Sequence, residues 1–369
     1  MRPEHSYWRR LLKDLVASAL WRAHAGRRSL SPAAGPRTLV VGYHRVVEDF
    51  ETAAKTDMPT LLVSRSMFER QLDWIGRRFQ FVSLDEIGDR IARGGSCRKP
   101  IAAVTFDDGY SDVYELAFPI LKRKGIPAGV FVVTDLIGRT RWQIHDRLYH
   151  LMEKAFAGWK DPWFELANLL DRADIPISDI PRMRAALGHS SSVVPNLLSA
   201  LSSAEAARVI DVLTDRVGSG LAAVPRALTW PMVAEMRSAG FTIGSHTRSH
   251  TWLANESEAM RMEEIEGSKF ELEARLGEAV LHFAYPGGQF TPPIVDLVAR
   301  AGYRFAYTAC EHQDARHPVL TIGRLMLWEG SAVGPKGGFS APILGCQTHQ
   351  LWPPARKCVA CTSHESAVS

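Results

Sequence analysis

Two adjacent carboxylates, Asp107 and Asp108, close the apolar run Ile101 to Thr105, which reads as a buried strand ending in the turn residue Gly109. Two imidazoles four residues apart, His246 and His250, follow a second short strand, Phe241 to Gly244. Asp-Asp-Gly alone is a common turn, and a lone His-x-x-x-His is more often a solvated or core pair than a ligand pair. Together, at two strand ends, they supply Asp, His and His to one point. That set suits a metal ion with a coordination position left for water.

The segments Thr105 to Tyr110 and His246 to His250, with a later Phe283 to Gly288 (Phe-Ala-Tyr-Pro-Gly-Gly), resemble the first three motifs of the NodB-homology polysaccharide deacetylases, the carbohydrate esterase family that includes chitooligosaccharide deacetylase. The resemblance covers about residues 37 to 137 and 226 to 326. An upstream Val41 to Val46 (Val-Gly-Tyr-His-Arg-Val) is similar to the strand that opens the barrel in the branch acting on biofilm polysaccharides.

The resemblance implies zinc, or another divalent metal, held by Asp108, His246 and His250, with Asp107 as general base. Hydrolysis of an amide needs an activated water, a stabilised oxyanion and a proton for the leaving amine, and a metal serves the first two. Consecutive side chains at a strand end diverge, which suits the split of roles between Asp107 and Asp108. The backbone N–H of Gly287 is the implied oxyanion donor, and Tyr110, Tyr285 and Pro286 are implied substrate contacts. Many relatives carry an arginine two residues before that proline, where Ala284 stands here; Arg45 and Arg324 are the candidate replacements. No Leu-x-His motif supplies a general acid at the usual place. Of His44, His312, His317 and His349, His44 is favoured because it ends a strand.

The elements that must position these groups alternate. Met67–Arg78 reads as a helix, 79–83 as a strand, Leu84–Arg93 as a helix, Val113–Lys124 as a helix closed by Gly125, and 128–133 as a strand. After 225 come helices at Pro231–Ser238, Glu258–Leu276 and Pro293–Ala301, with strands near Val280 and at Tyr303–Thr308. About seven strand candidates alternating with helices predict an α/β fold, a distorted (β/α)7-type barrel of the resembled family with active residues at strand C-terminal ends. The charged residues of Glu258–Leu276 read as a solvated face. Between about 138 and 225 the rhythm breaks into helices, Trp142–Phe156 and Ala204–Val217 among them, the latter behind the capping box Ser202 to Glu205. This predicts an inserted helical lobe, with Trp142, Trp159 and Trp163 read as core packing in preference to stacking on sugar rings.

The chain has 369 residues, 46% hydrophobic and 23% charged, with a formal net charge of +4, ordinary for a globular enzyme and no argument for nucleic acid. Residues 1–36 read as a helical extension. Trp8, Leu11, Leu12, Leu15, Val16 and Leu20 recur at helical spacing among basic residues, which fits either packing on the domain or an interfacial membrane contact. Neither a signal-peptide pattern nor a transmembrane span is read. Cys97 and Cys310 stand apart, which suggests a reducing, cytoplasmic setting. Cys346, His349, Cys358 and Cys361 have the form of a second zinc site, but their segment is rich in Pro, Ser and Gly, and 336–369 is expected to be a disordered tail.

The expected function is metal-dependent removal of N-acetyl groups from an N-acetylglucosamine-type oligo- or polysaccharide. The alternatives are hydrolysis of a non-sugar amide on the same barrel, and non-catalytic glycan binding.

Overall fold

Strands that are apolar on both faces must be covered on both faces, which favours parallel pairing under crossover helices. The computed structural model describes residues 3–30, 38–94, 99–176, 190–218, 224–310 and 312–352. Its central sheet runs through β1 (Thr38–Tyr43), β5 (Ile101–Phe106), β6 (Ala128–Val132), β7 (Thr242–Ser245), β8 (His282–Ala284) and β9 (Phe305–Thr308), all paired in parallel. Every residue of β5 is buried, as its unbroken apolar run requires.

The circuit closes through one short segment. β10 (Ile322–Gly323) pairs with β9, and β11 (Leu325–Met326) pairs with β1, with Arg324 between them. The result is a nearly closed α/β barrel, as expected. Its membership differs from the sequence reading: the strand expected at 79–83 is only the two-residue β4 (Gln80–Phe81), a side pair on β5, while 322–326, too short to show alternation, takes its place in the ring. A separate pair, β2 (Arg45–Val47) with β3 (Leu62–Ser64), lies beside the barrel mouth.

The insertion is a helical lobe with its own core. Helices Ile144–Gly158, Pro162–Arg172, Ser190–Ala200 and Ser203–Val217 bury Leu148, Leu151, Leu169, Val193, Val209 and Leu213 together. The capping box forms at Ser202 and Glu205. Trp159 and Trp163 pack against that core as expected.

The readings of the C-terminal tail and of Cys310 are corrected. Within the segment expected to be a disordered tail, Ala341–Thr348 is a helix that buries Ile343, Leu344 and Cys346, because these apolar residues meet the N-terminal helix Pro3–Leu30 through Ala17 and Trp21. Cys346 is therefore packed as a core residue, and its sulfur faces the Ala17 carbonyl at 3.5 Å. Cys358 and Cys361 lie outside the described residues, as does Cys97. Cys310 is disulfide-bonded, so it is not an isolated thiol and does not argue for a reducing compartment. No described helix is long and apolar enough to cross a membrane.

Candidate metal centre and catalytic site

Two strand ends build the site. The Asp107 amide donates to the Tyr43 carbonyl at 2.9 Å and so extends the β5 ladder. The backbone then turns sharply, with φ of 73° at Asp108 and 70° at Gly109, and the two carboxylates meet different partners. At β7, the His246 amide is held by the Val132 carbonyl at 2.9 Å, after which Thr247 and His250 also take positive φ, 67° and 63°. Five non-glycine residues have positive φ among those described, and three belong to this site, Asp108, Thr247 and His250. Backbone strain of this kind persists where surrounding contacts hold a functional geometry.

The holding contact for the second loop is Glu264. Its carboxylate accepts the backbone N–H groups of Arg248 and Ser249, each at 2.9 Å, and the Ser249 hydroxyl at 2.6 Å. Glu264 is buried, which corrects the reading of the charges on Glu258–Leu276 as a uniformly solvated face. One carboxylate of that helix is turned inward because the loop's amides need an acceptor.

Both carboxylate oxygens of Asp108 are buried without a hydrogen-bond donor. Around them stand the Nε2 atoms of His250, His246 and His145, at 3.2, 3.5 and 3.7 Å. An orphaned buried carboxylate among imidazoles is costly unless a cation completes it, so the donor set fits a divalent metal. His246 is oriented for that role: its Nδ1–H donates to the Ala284 carbonyl at 2.8 Å, leaving the Nε2 lone pair toward Asp108. Burial, opposed by the nearby aspartates, pushes His246 down to about 4, and burial, opposed by Asp108, pushes His145 down to about 3, so both imidazoles are neutral at neutral pH. Burial would lift Asp108, but His145 and His250 hold its carboxyl well below the usual range.

His145 escaped the sequence reading. It enters from the lobe, at the start of helix Ile144–Gly158, and Asp108, His145 and His250 each bring one ligand atom within 4.8 Å of the others. The Tyr110 hydroxyl sits 2.8 Å from His145 Nε2 and donates to Asp146 at 2.7 Å, while Gln143 donates to the Asp108 carbonyl at 3.0 Å. The available signal was position: His145 shares a helical stripe with Leu148 and Met152, both fully buried, so an ionisable ring there requires partners.

Asp107 has different company. Arg324 grips it with two parallel bonds of 2.7 Å, and the pair is buried. Burial would raise the Asp107 carboxyl; Arg324 and His246 hold it below its ordinary value, hence ionised. Of the two arginines considered, Arg324 thus meets the aspartate from the strand junction, while Arg45 is taken by Asp57 at 2.6 Å and Asp112 at 2.7 Å. His44, half-buried at the end of β1, lies close enough to act electrostatically on both Asp107 and Asp108. The other histidines stand elsewhere: His312 stacks on Phe290, His317 faces Asp296, and His349 meets Trp21.

Gly287 adopts φ 63°, and a Cβ there would lie 2.5 Å from the Trp252 ring, so only glycine fits. The three implied substrate contacts, Tyr110, Tyr285 and Pro286, are all buried. Tyr110 and Tyr285 are 2% and 0% exposed, with Tyr285 donating to the Leu320 carbonyl. A cleft of about 470 Å³ between lobe and barrel is lined by Trp142, Arg147, Ser203, Trp252 and His250 among others.

A family model described as polysaccharide deacetylase matches residues 94–155 and 179–306. The poly-beta-1,6-N-acetyl-D-glucosamine N-deacetylase of Staphylococcus aureus is 29% identical over 118 residues, covering 30% of this chain and 40% of that protein. YxkH of Bacillus subtilis is 30% identical over 80 residues, 21% of this chain and 29% of that one. The chain thus spans less than half the length of these curated relatives. Among solved structures, IcaB from Ammonifex degensii superposes with a TM-score of 0.52 at 20% identity, covering 86% of this chain and 98% of that one. The Streptococcus pyogenes deacetylase PplD, in complex with acetate, gives 0.50 at 19%, covering 81% and 95%. At these identities the structural likeness is one of fold.

Proposed function

Since the chain belongs to the polysaccharide deacetylase family, we propose that it is a divalent-metal-dependent hydrolase that removes N-acetyl groups from an N-acetylglucosamine-type glycan, releasing acetate and leaving a free amine. The observation that carries this reading is the division of labour between neighbours: Asp107 is clamped by Arg324, and Asp108 is left without donors among imidazoles. Asp108, His246 and His250 would hold the metal, with His145 facing the same carboxylate. When bound, the cation, zinc in the first instance, supplies Lewis acidity to the acetyl carbonyl and lowers the pKa of water toward about 7.

The chain's own groups supply the rest. Asp107, kept ionised by Arg324, accepts the proton of the attacking water. The Gly287 N–H donates to the oxygen that gains charge as the carbonyl carbon becomes tetrahedral. His44, at the mouth beside both aspartates, gives a proton to the departing amine. The sugar chain lies in the cleft between lobe and barrel, where Trp142 and Trp252 offer aromatic faces.

The test is acetate release from N-acetylglucosamine oligomers by zinc-loaded protein, beside Asp107→Asn. The variant should keep its metal and lose turnover by about 10²-fold or more, the usual scale for a general base. Undiminished release by Asp107→Asn would reject the assignment, and no release from metal-bearing wild type would reject the substrate class.

A further inference from the structure

Over residues 7–24, the N-terminal helix Pro3–Leu30 has one face packed on the fold and one exposed. On the inner face Ala17 is fully buried, Asp14 bonds the Ser340 hydroxyl, and Trp21 lies on Gly345 with its ring 5.8 Å from that of Trp74. On the outer face stand Trp8, Leu12, Leu15, Val16 and Leu20, exposed by 64, 65, 57, 43 and 37%. Their spacing of four, three, one and four residues is that of a continuous helical stripe. An exposed apolar stripe of this length on an otherwise satisfied helix marks an interaction surface.

Charge decides what the stripe meets. The helix carries six basic residues against two acidic ones, a surplus of four that equals the formal net charge of the whole chain, so the remainder of the protein is balanced. Arg9, Lys13 and Arg22 flank the stripe and are exposed. Two copies joined through this face would bring like charges together along both edges, whereas coiled-coil partners need opposite signs there. A sheet of anionic lipid headgroups satisfies both features at once: cations meet phosphates while the apolar residues enter the acyl boundary.

We propose that this helix is an in-plane anchor that binds the protein to an anionic lipid bilayer. The inference stands apart from the reading of the metal site. Its test is cosedimentation of the full chain with phosphatidylcholine vesicles and with vesicles also containing phosphatidylglycerol. Binding should require the anionic lipid and weaken with added salt. Arg9→Gln and Arg22→Gln should each reduce partitioning about fivefold. The combination Trp8→Ser, Leu12→Ser and Leu15→Ser should abolish it while leaving the thermal midpoint unchanged, because all three are solvent-facing. Failure of the wild type to sediment with anionic vesicles would overturn the proposal. So would equal binding by the triple serine variant, or a wild-type dimer that the same three changes dissociate without any vesicle binding.

Discussion

At the residue scale, two adjacent aspartates become different reagents through their partners. Asp107 meets a planar guanidinium, which orients both oxygens and favours the anion; Asp108 meets imidazole nitrogens, which suit a shared cation. The consequence is testable at Arg324. Lysine keeps the charge but cannot form the two-bonded fork, so Arg324→Lys should lower kcat by about 10²-fold with KM and bound metal little changed, by analogy with losses on misorienting a catalytic group. Steady-state kinetics with metal analysis would check it, and a full-rate Arg324→Lys enzyme would show that charge alone suffices. The aspartates and the His246–His250 pair were legible in the sequence because each ends an apolar strand at fixed spacing. Arg324 was legible only as one of two candidates, since it lies in no element long enough to show a pattern. His145 carried a positional signal alone: a single polar residue on a buried helical stripe makes no motif.

At the element scale, the loop that presents His246 and His250 depends on a helix that is far from the metal-facing atoms. Two strained residues, Thr247 and His250, keep their left-handed backbone because Glu264 collects the loop's amides from behind. Glu264→Ala would remove the charged acceptor of two part-buried N–H bonds, each worth about 1.5 to 3 kcal/mol at most. The loop should relax, and zinc affinity should fall about 10- to 100-fold, the range seen when the groups that orient ligands are removed. Glu263→Ala is the control, because Glu263 is solvent-exposed and pairs with the Arg248 side chain. Titration of both variants against a competing chelator would separate them; equal affinities would mean that the loop holds itself. Most helices were readable from caps and apolar periodicity, and Glu258–Leu276 was found with the bounds expected. What could not be read was which of its many charged residues faces inward, because that depends on a loop distant in sequence. The ring-closing pair β10 and β11 was unreadable for want of length, although their sum, one strand, completes the barrel.

At the scale of the whole molecule, the site joins three parts of the chain. Asp108 comes from the first half of the barrel, His246 and His250 from the second, and His145 from the lobe inserted between them. The lobe has its own core and touches this centre through the first turn of one helix, where His145 and Asp146 meet Tyr110 and Gln143 meets the Asp108 backbone. A metal bound among these groups would stabilise the folded state by about 2.7 kcal/mol at a hundredfold excess over Kd. The gain would be concentrated where the parts meet. Removing metal with a chelator should therefore lower the thermal midpoint and speed amide hydrogen exchange in 144–150 and 246–250. Exchange in the N-terminal helix and in Ala341–Thr348, which pack on each other away from the site, should not change. Exchange that rises evenly over the whole chain would mean that metal stabilises only the global fold. Exchange that rises at 246–250 but not at 144–150 would mean that His145 faces the carboxylate without sharing its cation.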